Sequence, residues 1–289
     1  MQFASILDSA SQRAVSAVLH PSGAWIRLST LDPAFGDDLL TFIDLSTRPA
    51  HAELSALVES AYVENGIEDV RFAPPYLDPP KIWGIGLNYL EHATDLEAIH
   101  PEVPASFIKG SHTILGPDGT IVLPRQSNRV TSEGELGLVI GRLCENVSED
   151  CALDYVFGVC SILDQTAEDI LQLNPRYLTR AKNFPTFFAF GPTITTLDEA
   201  TASVELSEWE VCTWLNGERI RCNVVGNMAH SPAQLVSFHS QMMPLLPGDI
   251  ISTGTPGAVR IRDGDVVKAS VGDLPPLRAT VEALNGTAP

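Results

Sequence analysis

The chain has 289 residues, of which 44% are hydrophobic and 19% charged. That is an ordinary globular composition, which excludes a disordered chain and allows a core large enough to bury a polar site. The formal net charge of −18 repels phosphate backbones and anionic headgroups, so nucleic acid and membrane surfaces are excluded as partners.

In chain order, Trp25-Ile-Arg-Leu reads as a strand, and His51 to Asn65 carries apolar residues at helical spacing. The proline pairs in Pro74-Pro75-Tyr-Leu-Asp-Pro79-Pro80 remove backbone donors and favour extended chain. This segment is read as a linker, giving a small N-terminal α+β domain over 1–75 and a catalytic domain over 76–289. Strands are then expected at Lys81–Gly86, Thr120–Pro124, Leu136–Gly141, Val156–Leu163, Val204–Leu206, Glu210–Leu215, Asp249–Thr253, Asp265–Ser270 and Leu277–Val281. A hairpin turn is expected at Asn216-Gly217, and helices at Asn88 to about Ala98, at about 167–173 and at 232–242. Strands outnumber helices, so a strand-dominated, mixed α+β fold follows.

The cysteines Cys144, Cys151, Cys160, Cys212 and Cys222 form no C-x-x-C pair, so reduced, mostly buried thiols are expected in a cytoplasmic setting. The opening MQFASILDSASQR lacks the apolar core of a signal peptide, and no run approaches the ~20 apolar residues of a membrane span. There is no Walker A loop, no H-E-x-x-H and no G-x-S-x-G, and Gly84-Ile-Gly86 lacks a third glycine.

In Val130-Thr-Ser-Glu133-Gly-Glu135-Leu, two carboxylates stand two residues apart at the start of an apolar run. On a strand both point to one face, where like charges repel unless a cation lies between them. A hard divalent cation, Mg²⁺ or Mn²⁺, prefers oxygen ligands. Two glutamates at a solvated strand end would show the same spacing. Asp164 closes the apolar run from Val156 to Leu163, where an unpartnered acid costs several kcal/mol to bury. It completes a minimal oxygen set, and it could also cap a following helix.

Several segments in this order make the chain resemble the fumarylacetoacetate hydrolase superfamily. They are Gly86-Leu-Asn88-Tyr89 with His92, Phe107-Ile-Lys109, Ile121-Val-Leu-Pro124, Glu133-x-Glu135-Leu and Asp164-x-Thr-Ala-x-Asp169. Lys182-x-Phe184, Gly191-Pro192, Asn216-Gly217-Glu218 and Pro247-Gly-Asp249-Ile-Ile-x-Thr253-Gly254-Thr255-Pro256 complete the match, which covers about 81–283. The resemblance implies a β-sandwich roll, a homodimer, and an Mg²⁺ or Mn²⁺ ion on Glu133, Glu135 and Asp164. It also implies an active-site lysine at Lys182, a water-activating pair His92–Asp95, and substrate contacts at Tyr89, Gln172, Gly254 and Thr255. In similar hydrolases the acid of the pair is Glu; here it is the shorter Asp95, with Glu91 and Glu97 nearby. Relatives usually carry Arg where this chain has Glu168, with Arg176 and Arg180 close in sequence as substitutes.

The implied reaction is hydrolysis of a 2,4-diketo acid of the acylpyruvate type to a 2-keto acid and a carboxylic acid. Oxaloacetate decarboxylation and isomerisation of a 2-hydroxy-dienedioate are alternatives on the same scaffold. A non-catalytic metabolite-binding protein is the alternative of another class.

Overall fold

The computed structural model describes residues 1–9, 11–63, 66–67, 70–89 and 102–284. Its strands are β1 Gln2–Leu7, β2 Ala14–Leu19, β3 Trp25–Arg27, β4 Phe72–Ala73, β5 Ile82–Gly86, β6 Ala105–Lys109, β7 Ile114–Leu115, β8 Thr120–Leu123, β9 Val130–Ile140, β10 Val156–Ala167 and β11 Phe188–Thr196. They continue with β12 Glu210–Leu215, β13 Glu218–Val224, β14 Ile250–Ser252, β15 Val259–Ile261, β16 Val266–Val271 and β17 Leu277–Ala283.

Two mixed sheets form. A 12-stranded sheet runs β3-β2-β1-β11-β10-β9-β14-β5-β6, with β15, β4 and β7 attached off this path. A five-stranded sheet runs β13-β12-β16-β17-β8. Most neighbours are antiparallel, and β14–β5, β17–β8 and β11–β7 are parallel. The first 75 residues contribute β1 to β4 to the large sheet, joined to the rest where Gln2 faces Thr195 and Phe3 faces Ile194. The proline segment that follows is packed: Ser5 donates to the Pro75 carbonyl at 2.6 Å, and the buried Tyr76 hydroxyl donates to the Gly248 carbonyl at 3.0 Å.

The long central strands β9 and β10 position the site. Side-chain alternation puts Leu136, Leu138 and Ile140 of β9 on one face, in a core shared with Val211 and Val271 of the small sheet. The other face packs Val139, Cys160 and Ile162 against Phe42, Leu54 and Val58 of the N-terminal helices. Glu133 and Glu135 share parity with Val139, so they stand on this second face.

Gly134, between the two glutamates, faces the small sheet. Its amide donates to Thr213 Oγ1 at 2.8 Å. A Cβ there would stand 2.9 Å from both the Cys212 carbonyl oxygen and Thr213 Oγ1, so β12 fills the space any side chain needs.

The expected helix at His51 ends at Glu59, short of Asn65, because beyond it the exposed Tyr62 and Val63 have no face to bury. The expected strand at Val204–Leu206 is instead a loop leading into a 3-10 turn at Leu206–Glu208. The Asn216-Gly217 hairpin and the helices at Glu168–Leu173 and Pro232–Met242 form as expected. The remaining expected helix, Asn88 to Ala98, lies outside the described residues from 90 onward.

The expectation of reduced thiols is corrected at one pair. Cys212 and Cys222 face each other across the hairpin, Cα atoms 4.1 Å apart, and form a disulfide. Cys144 and Cys160 are free and buried, and Cys151 is free and partly buried. No helix among the described residues is long and apolar enough to cross a membrane.

Because β12 backbone occupies the space beside Gly134, Gly134→Ala should lower unfolding stability in urea by about 1–3 kcal/mol. A variant as stable as the parent would show that the two sheets can part there at no cost.

Candidate metal centre

Glu133 and Asp164 are directly opposed in the β9–β10 ladder, and Glu135 stands one same-face step along β9. One carboxylate oxygen from each of the three lies within 4.8 Å of the others. They are 8%, 2% and 1% exposed, which rules out the solvated strand end. Asp164 is held by side chains rather than capping a helix: Lys109 Nζ lies 2.6 Å from Oδ1 and Lys182 Nζ 2.8 Å from Oδ2. Lys182 also donates to Glu133 Oε2 at 2.8 Å and lies 4.9 Å above the Phe107 ring.

Lys109 had no assigned role in the sequence, and its reach requires a curled sheet. Four strand spacings separate β6 from β10 along the sheet, roughly 19 Å if it were flat. The contact of Lys109 with Asp164 shows that the sheet rolls until its β6 edge returns over β10.

Glu135 is held by the end of β14 and the loop that follows it. Its Oε2 accepts from Ser252 Oγ at 2.5 Å and from the Gly254 amide at 2.8 Å. Gly254 adopts φ +99°, and a Cβ there would stand 2.8 Å from Asn88 Cβ, so glycine is what lets this amide turn toward the carboxylate.

The charges answer to this geometry. Burial lifts the Glu135 carboxyl to about 8, helped by Asp164 and Glu133 and opposed by Lys182 and Ser252. Burial works the same way on Asp164, but Lys109 and Lys182 outweigh it and hold that carboxyl below its usual range. Burial lowers Lys109 to about 8, with Asp164 resisting. Lys182 is pushed upward, because Asp164, Glu133 and Glu135 outweigh its burial. Three ionised carboxylates would exceed the two ammonium groups by one negative charge, and the raised Glu135 carboxyl keeps a proton in place of it, a position that a cation could take. The all-oxygen donor set, within reach of one ion, fits a hard divalent metal, with Glu133, Glu135 and Asp164 as its holders.

Glu133 and Glu135 open into a cleft of about 440 Å³, with Asp164 behind them outside its lining. Glu133, Glu135, Lys182, Thr131, Thr166, Glu168, Gln172 and Thr255 supply its polar lining, and Ile85, Phe107, Leu171 and Leu178 apolar walls. Thr255 Oγ1 bonds the Gly257 amide at 3.2 Å, closing its loop. Gln172 donates to Glu168 Oε1 at 3.1 Å. Gly254 serves Glu135 and does not line the cleft. Tyr89 is fully buried; its hydroxyl has no hydrogen-bond partner among the described residues, and burial together with Glu135 raises its pKa. His92 and Asp95, with Glu91 and Glu97, lie outside the described residues. Arg176 and Arg180 do not line the cleft, and Glu168 is instead paired with Arg129 at 2.6 Å.

The family model described as Fumarylacetoacetate (FAA) hydrolase C-terminal matches residues 81–282. An uncharacterised protein of Archaeoglobus fulgidus is 42% identical over 212 residues, 73% of this chain and 82% of that one. A mitochondrial oxaloacetate tautomerase of Xenopus laevis is 29% identical over 276 residues, 92% of this chain and 85% of its own. Among solved structures, a fumarylacetoacetate hydrolase from Exiguobacterium antarcticum superposes with a TM-score of 0.81 at 26% identity, covering 98% of this chain and all of that one.

Titration calorimetry with Mg²⁺ or Mn²⁺ should show about one ion per chain, and none in Glu135→Ala or Asp164→Ala. The cation must displace a proton from Glu135, which the ion-free protein holds up to about pH 8. Affinity should therefore fall by up to about tenfold per pH unit below that value and level off above it. A pH-independent affinity between 6 and 9 would contradict this.

Proposed function

The chain belongs to the fumarylacetoacetate hydrolase family, and from that premise we propose that it is a metal-dependent hydrolase of 2,4-diketo acids of the acylpyruvate type. Its products would be a 2-keto acid and a carboxylic acid. The observation that carries the reading is the convergence of three buried carboxylates on one buried ammonium group, with Glu133, Glu135 and Lys182 at the wall of a cleft with apolar sides.

The ion proposed is Mg²⁺, with Mn²⁺ as the alternative, and when bound it supplies the charge that polarises the 2-keto oxygen. His92, oriented by Asp95, is the proposed base that takes a proton from water. The hydroxide so formed adds to the distal carbonyl. The C–C bond beside that carbonyl then breaks, and its electron pair passes to the keto-acid half as an enolate. Protonation at the former methylene carbon releases the 2-keto acid, while the acyl half leaves as a carboxylic acid. Lys182 supports the enolate oxygen through a positive charge that its acidic neighbours keep in place. The apolar walls of Phe107, Leu171 and Leu178 keep competing water away from the reacting atoms.

A second reading rests on the Xenopus laevis oxaloacetate tautomerase, whose likeness spans 92% of this chain. Proton transfer or decarboxylation at oxaloacetate passes through a comparable enolate but needs no attacking water.

Stripping the protein with a chelator should abolish acetylpyruvate cleavage, and Mg²⁺ or Mn²⁺ should restore it. Lys182→Met should lower kcat about 100-fold or more with a smaller change in KM. In His92→Ala, lost diketone cleavage with retained turnover of oxaloacetate supports water activation by His92. Retained cleavage would contradict the hydrolytic assignment of that residue.

A further inference from the structure

The floor of the cleft is a ladder whose steps change chemistry. Glu133 faces Asp164, the next same-face step pairs Thr131 with Thr166, and Glu168 follows two residues on. Glu168 opens the helix after β10, four residues beyond Asp164 and at most about 13 Å from it at strand rise. A six-carbon ligand held at the acids, together with a glutamate side chain, covers that distance. The first step attracts a cation, and the hydroxyl step is neutral. The last presents a carboxylate that is only 18% exposed.

That carboxylate is fixed in place. Its Oε2 accepts from Arg129 Nε at 2.6 Å and its Oε1 from Gln172 Nε2 at 3.1 Å, while the Glu168 amide donates to the Arg129 carbonyl at 2.8 Å. Asp169 ties down the turn that carries Arg129, accepting from Ser127 Oγ at 2.5 Å and from the Asn128 amide at 2.8 Å. Arg129 itself is 49% exposed and stands outside the cleft lining, so it holds Glu168 from the solvent side. Among the described residues that line the cleft, Lys182 is the only Lys or Arg, and both its carboxylate partners belong to the acidic end. Around Glu168 the lining is Gln172, which is bonded to it, and the apolar Leu171, Pro175 and Leu178. A tail carboxylate arriving there would meet a carboxylate whose arginine and glutamine partners are already engaged, and no free Lys or Arg among the described lining residues, whereas an alkyl or aryl tail would meet a surface that gains from its burial.

We infer that the cleft selects 2-keto acids with an uncharged tail, and that Glu168 is the specificity-determining residue that turns away a second carboxylate. The inference rests on the keto-acid reading above and narrows its substrate class to acylpyruvates with alkyl or aryl acyl groups.

The test is a binding measurement on the Mg²⁺- or Mn²⁺-loaded protein with two non-cleavable probes of equal length, 2-oxohexanoate and 2-oxoadipate. Calorimetry or thermal shift should show 2-oxohexanoate binding at least about tenfold more tightly, a gap that Glu168→Gln should narrow to threefold or less by tightening 2-oxoadipate. Equal or tighter binding of 2-oxoadipate by the parent protein, or an unchanged gap in Glu168→Gln, would overturn the role of Glu168 and leave the keto-acid reading standing. If the metal binds but neither probe does, the keto-acid reading falls and this inference falls with it.

Discussion

Charge compensation in a buried place governs this molecule. Glu133, Glu135 and Asp164 are nearly inaccessible to solvent and within 4.8 Å of one another. Like charges that close, away from water, cannot all persist without a counter-charge. Two ammonium groups answer them, and the answer is incomplete: Glu135 keeps its proton up to about pH 8. A dication would complete it, and the same positive centre would hold the anionic end of a keto acid in a chain whose formal net charge is −18.

Much of the fold follows from putting those groups together. The large sheet must curl for Lys109 on β6 to reach Asp164 on β10. The ladder between β9 and the β14–β15 edge breaks so that Ser252 and Gly254 can turn toward Glu135. Gly134, left without a ladder partner on that side, gives its amide to Thr213 of the small sheet. The two sheets are therefore keyed together between the two glutamates, so packing and the placement of the acids are one structural fact.

The parts of this arrangement that were legible in the sequence are those set by local period. Alternation put Glu133 and Glu135 on one face, the apolar run led to Asp164, and Asn216-Gly217 marked its hairpin. What stayed hidden depends on contacts between distant segments. Lys109 closes β6 and has no acidic neighbour in sequence, so only the roll of the sheet reveals its partner. β11 was not among the expected strands; it contains Gly191-Pro192, a proline that cannot donate to a ladder, and the register of β10 against it shifts between Val159 and Ser161 to admit the pair. The disulfide was unforeseen for a related reason. Continuing the pairing set at the Asn216-Gly217 turn would put Arg221 opposite Cys212, and the irregularity between Thr213 and Trp214 moves Cys222 into that place. Arg129 meets Glu168 only because β9 begins where β10 ends.

The most direct measurement is an anomalous difference map from a crystal of this protein grown with Mn²⁺. The account predicts one strong peak about 2.1–2.2 Å from an oxygen of each of Glu133, Glu135 and Asp164, with Lys182 Nζ drawn away from at least one of its present carboxylate partners. A map with no peak among those acids, and both lysine contacts unchanged, would contradict it.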